Sequence, residues 1–313
     1  MSQKNVLVLN SPHEKIKQYL EQHYQVIYVN DLAGLTEQLA QIGASIQIVI
    51  SSAYVGLKKE WIDLMPNLEV VCNFGVGYDS TDIQALKARG IPFSNTPEVL
   101  NDAVADTAMA LLLALVRQVC QADTFVRNGL WEKGSFTLTP NVSGKKVGIV
   151  GLGSIGKVIA KRLSGFDCEI AYHNRRQRDD VDFVYKASVI ELAQWSDFLI
   201  IATVGGPDTR HLINHDVLVA LGREGYLINI ARGSVIDQEA LIQALQNNTI
   251  AGAGLDVFDN EPFVPESLKQ LKNVVLMPHV GSGSIEARDQ MAQLVIDNLE
   301  NFYQKGDVIT KVV

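Results

Sequence analysis

Val147-Gly148-Ile149-Val150-Gly151-Leu152-Gly153-Ser154-Ile155-Gly156-Lys157-Val158-Ile159-Ala160 joins an apolar β-rich run, a glycine-studded turn and a helix-period segment without interruption. That order predicts a strand, a tight turn and a helix, the opening of a βαβ unit. Each glycine has a task in such a turn. Gly151 permits the sharp bend, Gly153 lets backbone approach a pyrophosphate, and Gly156 lets the helix lie close on the strand. The phosphates of a dinucleotide would then rest at the positive end of the helix. Gly151, Leu152, Gly153, Ser154, Ile155 and Gly156 are therefore candidate cofactor residues.

The same alternation of short β-rich runs and helix-period segments extends in both directions, which is the signature of a largely parallel sheet. Strand candidates in the first part are Val6–Asn10, Val26–Val29, Ile48–Ser51, Val70–Asn73 and Ile91–Ser94. In the second part they are Val147–Val150, Glu169–Tyr172, Phe198–Ala202, Tyr226–Ile230, Ala253–Leu255 and Val274–Met277. Two successive doubly wound α/β units fit this better than one large sheet. Between them, Val99 to Asn128 reads as a single long helix stopped by Asn128-Gly129, suited to connect the units or to form a dimer element. Ser284 to Lys305 is amphipathic, with Met291, Leu294, Val295 and Leu299 on one face, and its periodicity does not say which unit it covers.

A chain of 313 residues, 47% hydrophobic and 20% charged, has the composition of a soluble globular protein of about two domains. The net charge of -8 argues against a general nucleic-acid or anionic-membrane surface. Cys72, Cys120 and Cys168 are odd in number, widely spaced and set among apolar residues, so they are expected as buried thiols, with neither a disulfide framework nor a metal site. The first strand candidate opens at Val6 with no basic region and long apolar stretch before it, and Ala103 to Val116 is too short to span a membrane. A cytoplasmic location is the expectation.

The strand after the glycine turn bears on which dinucleotide would bind. An NAD site expects an acid near its end, about 20 residues beyond the first glycine, to hold the ribose hydroxyls. Here the chain reads His173-Asn174-Arg175-Arg176, with no acid before Asp179. A guanidinium can pair bidentately with a 2′-phosphate, each charge-assisted bond contributing about 1.5–3 kcal/mol. Asn174, Arg175 and Arg176 thus point to NADPH or NADP+ in preference to NADH.

Three further residues lie after later strand candidates. Arg232 follows Tyr226–Ile230, at a carboxyl end of the sheet where ligands bind in doubly wound folds, and its planar fork suits a carboxylate and an adjacent carbonyl oxygen. His279 follows Val274–Met277, and an imidazole's ordinary pKa of about 6.5 suits acid/base work near neutrality. Glu261, beside Pro262, could accept the other ring N–H and keep a proton donor loaded. A cation, an imidazole and a carboxylate behind a nucleotide turn match reversible hydride transfer to an α-keto acid.

Together, Gly151 to Gly156, Ile230-Ala231-Arg232-Gly233, Leu255-Asp256-Val257-Phe258 with Glu261-Pro262, and Pro278-His279-Val280-Gly281 resemble the D-isomer-specific 2-hydroxyacid dehydrogenases. Asn73-Phe74-Gly75-Val76-Gly77-Tyr78-Asp79 and Val104-Ala105-Asp106-Thr107 extend the likeness over nearly the whole chain. It is strongest toward the NADP(H)-preferring glyoxylate, hydroxypyruvate and hydroxyphenylpyruvate reductases. The resemblance implies that Arg232 binds the keto acid, that His279 donates the proton and that Glu261 is its partner. It also places the substrate carboxylate on the backbone of Val76 and Gly77, and the nicotinamide amide on Asp256. Thr203, Ile230 and Ala231 are implied beside the cofactor. Two Rossmann-like domains follow, with the site in the cleft between them: residues 1–100 with 284–313 as a flavodoxin-like substrate domain, and 101–283 as the NADP-binding domain. A homodimer built on 101–145 and a D-configured 2-hydroxy acid product are implied as well.

Thr203-Val204-Gly205-Gly206-Pro207-Asp208-Thr209 departs from the commoner Leu-Thr-Pro type loop beneath the cofactor. His211 and His215 match no catalytic position and read as structural. A hydroxyphenylpyruvate or sugar-derived keto acid is the alternative substrate. Outside enzymes, the fold also resembles nucleotide-sensing corepressors, although the chain has no low-complexity tail or extended interaction segment. Formate dehydrogenases carry a glutamine where Glu261 stands, which sets them further away.

Overall fold

Val6, Leu7, Val8 and Leu9 are all buried. Burial on both faces is what a central strand of a helix-covered parallel sheet requires. The computed structural model describes residues 3–29 and 31–313; Met1 and Ser2, which begin the domain read as 1–100, and Asn30 lie outside the described residues. The chain divides into two compact units, Met1–Leu100 with Ser284–Val313, and Asn101–Gly283.

The first unit holds five strands: β1 (Asn5–Leu9), β2 (Gln25–Val29), β3 (Ile46–Ser52), β4 (Val70–Phe74) and β5 (Phe93–Ser94). They pair in the order β2-β1-β3-β4-β5, all parallel. Alternate residues feed two cores, one through Leu7, Val49, Val71 and Phe93, the other through Val6, Val8, Ile48 and Ile50. The helix Ile285–Lys305 covers the second of these with Val295 and Leu299, and so belongs to this unit. Behind it the chain end returns to β5, where Phe93 N–H donates to the Val313 carbonyl and Val312 N–H to the Phe93 carbonyl.

The second unit holds seven strands: β6 (Lys146–Val150), β7 (Glu169–His173), β8 (Val184–Tyr185), β9 (Phe198–Ile201), β10 (Tyr226–Asn229), β11 (Gly252–Leu255) and β12 (Val274–Leu276). Their order is β12-β11-β10-β9-β6-β7-β8, again all parallel. The strand order reverses between β6 and β9. A crevice forms at such a reversal, because the connections leave toward opposite faces of the sheet.

Two elements differ from the sequence reading. β8 is a two-residue edge strand and carries no periodic signal that could announce it. The segment Val99–Asn128 is two helices, Asn101–Val116 and Val119–Arg127, bent by 58°. Gln118 takes a left-handed conformation at the break (φ +50°). The break falls where burial ends: Ala105, Ala108, Leu111 and Leu112 are fully buried, whereas no residue of Val119–Arg127 is. Cys120 lies on that outer helix and is exposed, contrary to the expectation of three buried thiols. Cys72 is buried, and its burial pushes the thiol up to about 11. All three cysteines are free. Among the described residues no single helix is long and apolar enough to cross a membrane, and only the bent pair passes that test jointly.

Candidate active site

The glycine turn lies at the carboxyl end of β6, beside the strand-order reversal. Gly151 has φ +97°, and a Cβ there would meet Thr203 Cα and N at 2.7 Å, so only glycine lets β6 turn under the loop after β9. A Cβ on Gly156 would meet the Gly151 carbonyl oxygen at 2.3 Å, which fixes how closely the helix Ser154–Leu163 lies on the turn. Nothing lies within 4 Å of a Cβ on Gly153. That open side is where phosphates can approach a helix whose first turn carries no acid and whose N-cap has no side-chain hydrogen bond. Asn174 Oδ1 accepts the Leu152 N–H at 2.7 Å and ties the turn to the end of β7.

A cavity of about 1000 Å³ opens at these strand ends, lined among others by Gly151, Gly153, Asn174, Arg175, Arg176 and Thr203. The departing loop Val204 to Thr209 forms its other wall. Leu152, Ser154, Ile155, Gly156, Ile230, Ala231 and Asp256 lie outside that lining. The charges around the cavity are sorted by pairing. Asp180 takes both Arg178 and Lys157, which hold its carboxyl well below the ordinary carboxylate range, so this acid is spent on neighbours other than Arg175 and Arg176. Arg175 stands 3.5 Å from Asp208, both more than four-fifths exposed, a pair of little net worth. Residues with these side chains fit a dinucleotide carrying an added phosphate.

Arg232, Glu261, His279 and Asp256 gather at the carboxyl ends of β10, β11 and β12. Arg232 is set by Asn229, a fully buried residue that donates from Nδ2 to the Arg232 carbonyl (2.9 Å) and accepts the Ala231 N–H (3.0 Å). Gly233 follows because any Cβ there would strike the Phe258 backbone at 1.9 Å. Glu261 Oε2 lies 2.6 Å from His279 Nδ1, and Glu261 Oε1 accepts the Phe258 N–H at 2.9 Å. Burial opposes ionisation of Glu261. The imidazole, the Phe258 N–H and the Arg232 charge outweigh it, and the carboxyl is held below its ordinary value.

His279 itself adopts a left-handed backbone (φ +52°), a conformation that needs support from its surroundings. Asp256 supplies that support. Its Oδ1 accepts the Val280 N–H (2.8 Å), its Oδ2 the Gly281 N–H (2.7 Å), and its carbonyl the His279 N–H (2.8 Å). Burial raises the Asp256 pKa, with these backbone donors working against the shift. The sequence reading gave Asp256 to the cofactor alone and missed both this clasp and Asn229. Either could have been suspected from a lone polar residue within an otherwise apolar strand end. His215 is exposed beside Asp216, as a surface residue.

In the first unit, Val76 and Gly77 follow β4, in the loop Phe74-Gly75-Val76-Gly77 at a carboxyl end of that sheet.

A family model described as D-isomer specific 2-hydroxyacid dehydrogenase, NAD binding domain, matches residues 109–281. The hydroxyphenylpyruvate reductase of Plectranthus scutellarioides is 43% identical over 308 residues, 98% of each chain. The glyoxylate/hydroxypyruvate reductase A of Arabidopsis thaliana is 48% identical over 269 residues, 86% of each. Among solved structures, the NADPH-dependent glyoxylate/hydroxypyruvate reductase from Sinorhizobium meliloti, in complex with NADP and malonate, superposes with a TM-score of 0.93 at 42% identity, covering 100% of this chain and 97% of that one. The seven-stranded nucleotide unit, the His279–Glu261 pair and these likenesses agree: the chain belongs to the D-isomer-specific 2-hydroxyacid dehydrogenases.

Proposed function

We propose that this protein is an NADPH-dependent reductase of small 2-keto acids of the glyoxylate and hydroxypyruvate type, yielding D-2-hydroxy acids. The observation that carries the reading is the 2.6 Å His279–Glu261 pair, standing in the same unit as a basic dinucleotide cavity. Arg175 and Arg176, with Asp180 engaged elsewhere, support NADPH over NADH. The names of the relatives from Sinorhizobium meliloti and Arabidopsis thaliana support the substrate class. A hydroxyphenylpyruvate-type substrate is the second reading, favoured by the Plectranthus scutellarioides relative.

NADPH, held at the glycine turn and by Arg175 and Arg176, would supply the hydride. The chain does the rest. Arg232 holds the keto acid by its carboxylate and stabilises the negative charge that grows on the carbonyl oxygen during reduction. His279 delivers a proton to that oxygen from Nε2, while Glu261 holds the Nδ1 side of the ring and fixes its orientation. Asp256 keeps the His279 backbone in place from below. The N–H groups of Val76 and Gly77 hold the substrate carboxylate from the substrate-binding unit. Leu152, Ser154 and Ile155 serve the pyrophosphate, and Thr203, Ile230 and Ala231 flank the cofactor.

The segment after residue 100 supports a homodimer. Val119, Val126, Leu130, Trp131 and Leu138 are 51%, 55%, 40%, 70% and 97% exposed. Exposed apolar side chains in this number are more costly in water than against a second copy. A cytoplasmic enzyme is the accompanying proposal. The test is NADPH oxidation with glyoxylate and hydroxypyruvate by the wild type and by His279→Ala. Turnover lost on substitution, with NADPH binding retained, is the expected result; equal loss of both would contradict the assigned role.

A further inference from the structure

The loop after β4 is held in shape by buried side chains that no backbone motif reveals. Asn73, 1% exposed, donates from Nδ2 to two carbonyls, that of Gly75 at 3.0 Å and that of Gly77 at 3.1 Å. Its Oδ1 accepts the Ser51 hydroxyl at 3.1 Å, which sets the amide the right way round. Asn95, 8% exposed, donates from Nδ2 to the Val76 carbonyl at 2.9 Å. Three consecutive carbonyls are thereby held from behind. Gly75 completes the bend with φ +149°, and a Cβ there would lie 2.7 Å from that of Ala53. Its own N–H and carbonyl are tied to Thr96.

The consequence lies on the other side of the loop. Among the described residues, no acceptor faces the N–H groups of Val76 and Gly77. Adjacent peptide N–H groups whose carbonyls are turned away form a small concave donor pair, complementary to a carboxylate. Their value depends on being aimed before the ligand arrives, since donors that must reorient give up much of what the bond returns. The aiming reaches back to the chain end. Thr310 Oγ1 donates to the Asn95 carbonyl, and Asn298, fully buried in the C-terminal helix, clasps Thr310 through its backbone N–H and its hydroxyl.

We propose that Asn73 and Asn95 are positioning residues that hold the Val76 and Gly77 N–H groups in place for the substrate carboxylate. This inference rests on the 2-keto acid reading of the site. Oxamate, an unreducible analogue of glyoxylate, probes it directly. Its Kd is measured on NADPH-loaded enzyme beside the Kd of NADPH and the KM and kcat for glyoxylate, in the wild type, Asn95→Ala, Asn73→Ala and Asn95→Asp. The alanine variants should each raise the oxamate Kd and the glyoxylate KM about tenfold, the equivalent of one lost bond, with NADPH affinity and kcat within about threefold of wild type. Asn95→Asp has the shape of asparagine but turns an oxygen toward the Val76 carbonyl, so it should bind oxamate no better than Asn95→Ala. If Asn95→Ala does not fold, Asn95→Asp carries the test.

Oxamate binding of wild-type strength in these variants, or a parallel loss of NADPH affinity, would overturn the proposal. So would a wild type that binds no oxamate. A wild type that reduces no keto acid, yet loses oxamate affinity on substitution of Asn95, would remove the proposed reaction and leave the positioning role standing.

Discussion

Replacing Glu261 with glutamine tests the proton donor without disturbing the loop that carries it. Glutamine keeps a carbonyl oxygen for the Phe258 N–H, so the 2.9 Å anchor survives while the charge opposite His279 is removed. The magnitude follows from the geometry. At an effective dielectric constant of about 20, opposite charges about 4 Å apart attract by about 4 kcal/mol. The two side chains are 24% and 19% exposed, so solvent screens part of this. A net contribution of about 1.5–3 kcal/mol is that of a charge-assisted hydrogen bond. Loss of that contribution from the transition state equals about a 10–100-fold fall in rate. The assay is kcat/KM for glyoxylate at saturating NADPH, beside the Kd of NADPH. The carboxylate orients the ring that donates the proton, so its removal should lower kcat/KM about 10–100-fold, with NADPH affinity unchanged. A kcat/KM of wild-type size in Glu261→Gln would refute the reasoning, because the pair would then contribute nothing to the donor.

Glu261 also links stability to pH. Its carboxyl is held below the ordinary glutamate value against the cost of burial, so its contribution is complete above that value and disappears as pH falls through the lowered one. Urea unfolding of wild type and Glu261→Gln should differ near about pH 5, just above the ordinary glutamate value, and converge as pH falls below it. Gly153→Ala should leave the melting temperature nearly unchanged, since no atom lies within 4 Å of the added carbon, yet weaken NADPH by obstructing its phosphates; Gly156→Ala should destabilise by about 1–3 kcal/mol through its 2.3 Å overlap with the Gly151 carbonyl. Neutral residues at Arg175 and Arg176 should weaken NADPH about 10–100-fold and leave NADH affinity unaltered in fluorescence titration. Arg232→Lys should lower kcat/KM for glyoxylate about 100-fold in steady-state assays, because a point charge replaces the planar fork.

Much of the architecture was legible because parallel strands buried on both faces write themselves as short apolar runs. Val147–Val150, Phe198–Ala202 and Tyr226–Ile230 match β6, β9 and β10 to within a residue at either end. The glycine turn was legible for a related reason: close approach excludes every other side chain at positions 151 and 156. What stayed hidden depends on three-dimensional partners. Helical spacing runs straight through Gln118, and only the end of burial beyond Val116 shows why the helix breaks there. The pairing of Asp180 with Lys157 and Arg178, which leaves the other arginines to the cavity, spans a strand and a loop. Asp256 and Asn229 act through backbone groups 24 and 3 residues away, and Asn95 through a carbonyl 19 residues before it. No periodicity encodes such distances. Residue chemistry indicates the reaction, whereas the framework that aims the reacting groups becomes visible only when the strand ends are brought together.

The most direct test of the central claim is the loss of nicotinamide absorbance when wild-type enzyme and His279→Ala are mixed with NADPH, and separately with NADH, against glyoxylate and hydroxypyruvate. Rapid oxidation that favours NADPH is expected in the wild type, and oxidation reduced by several orders of magnitude in His279→Ala with NADPH still bound. Oxidation that persists in His279→Ala, or a wild type that prefers NADH, would contradict the claim.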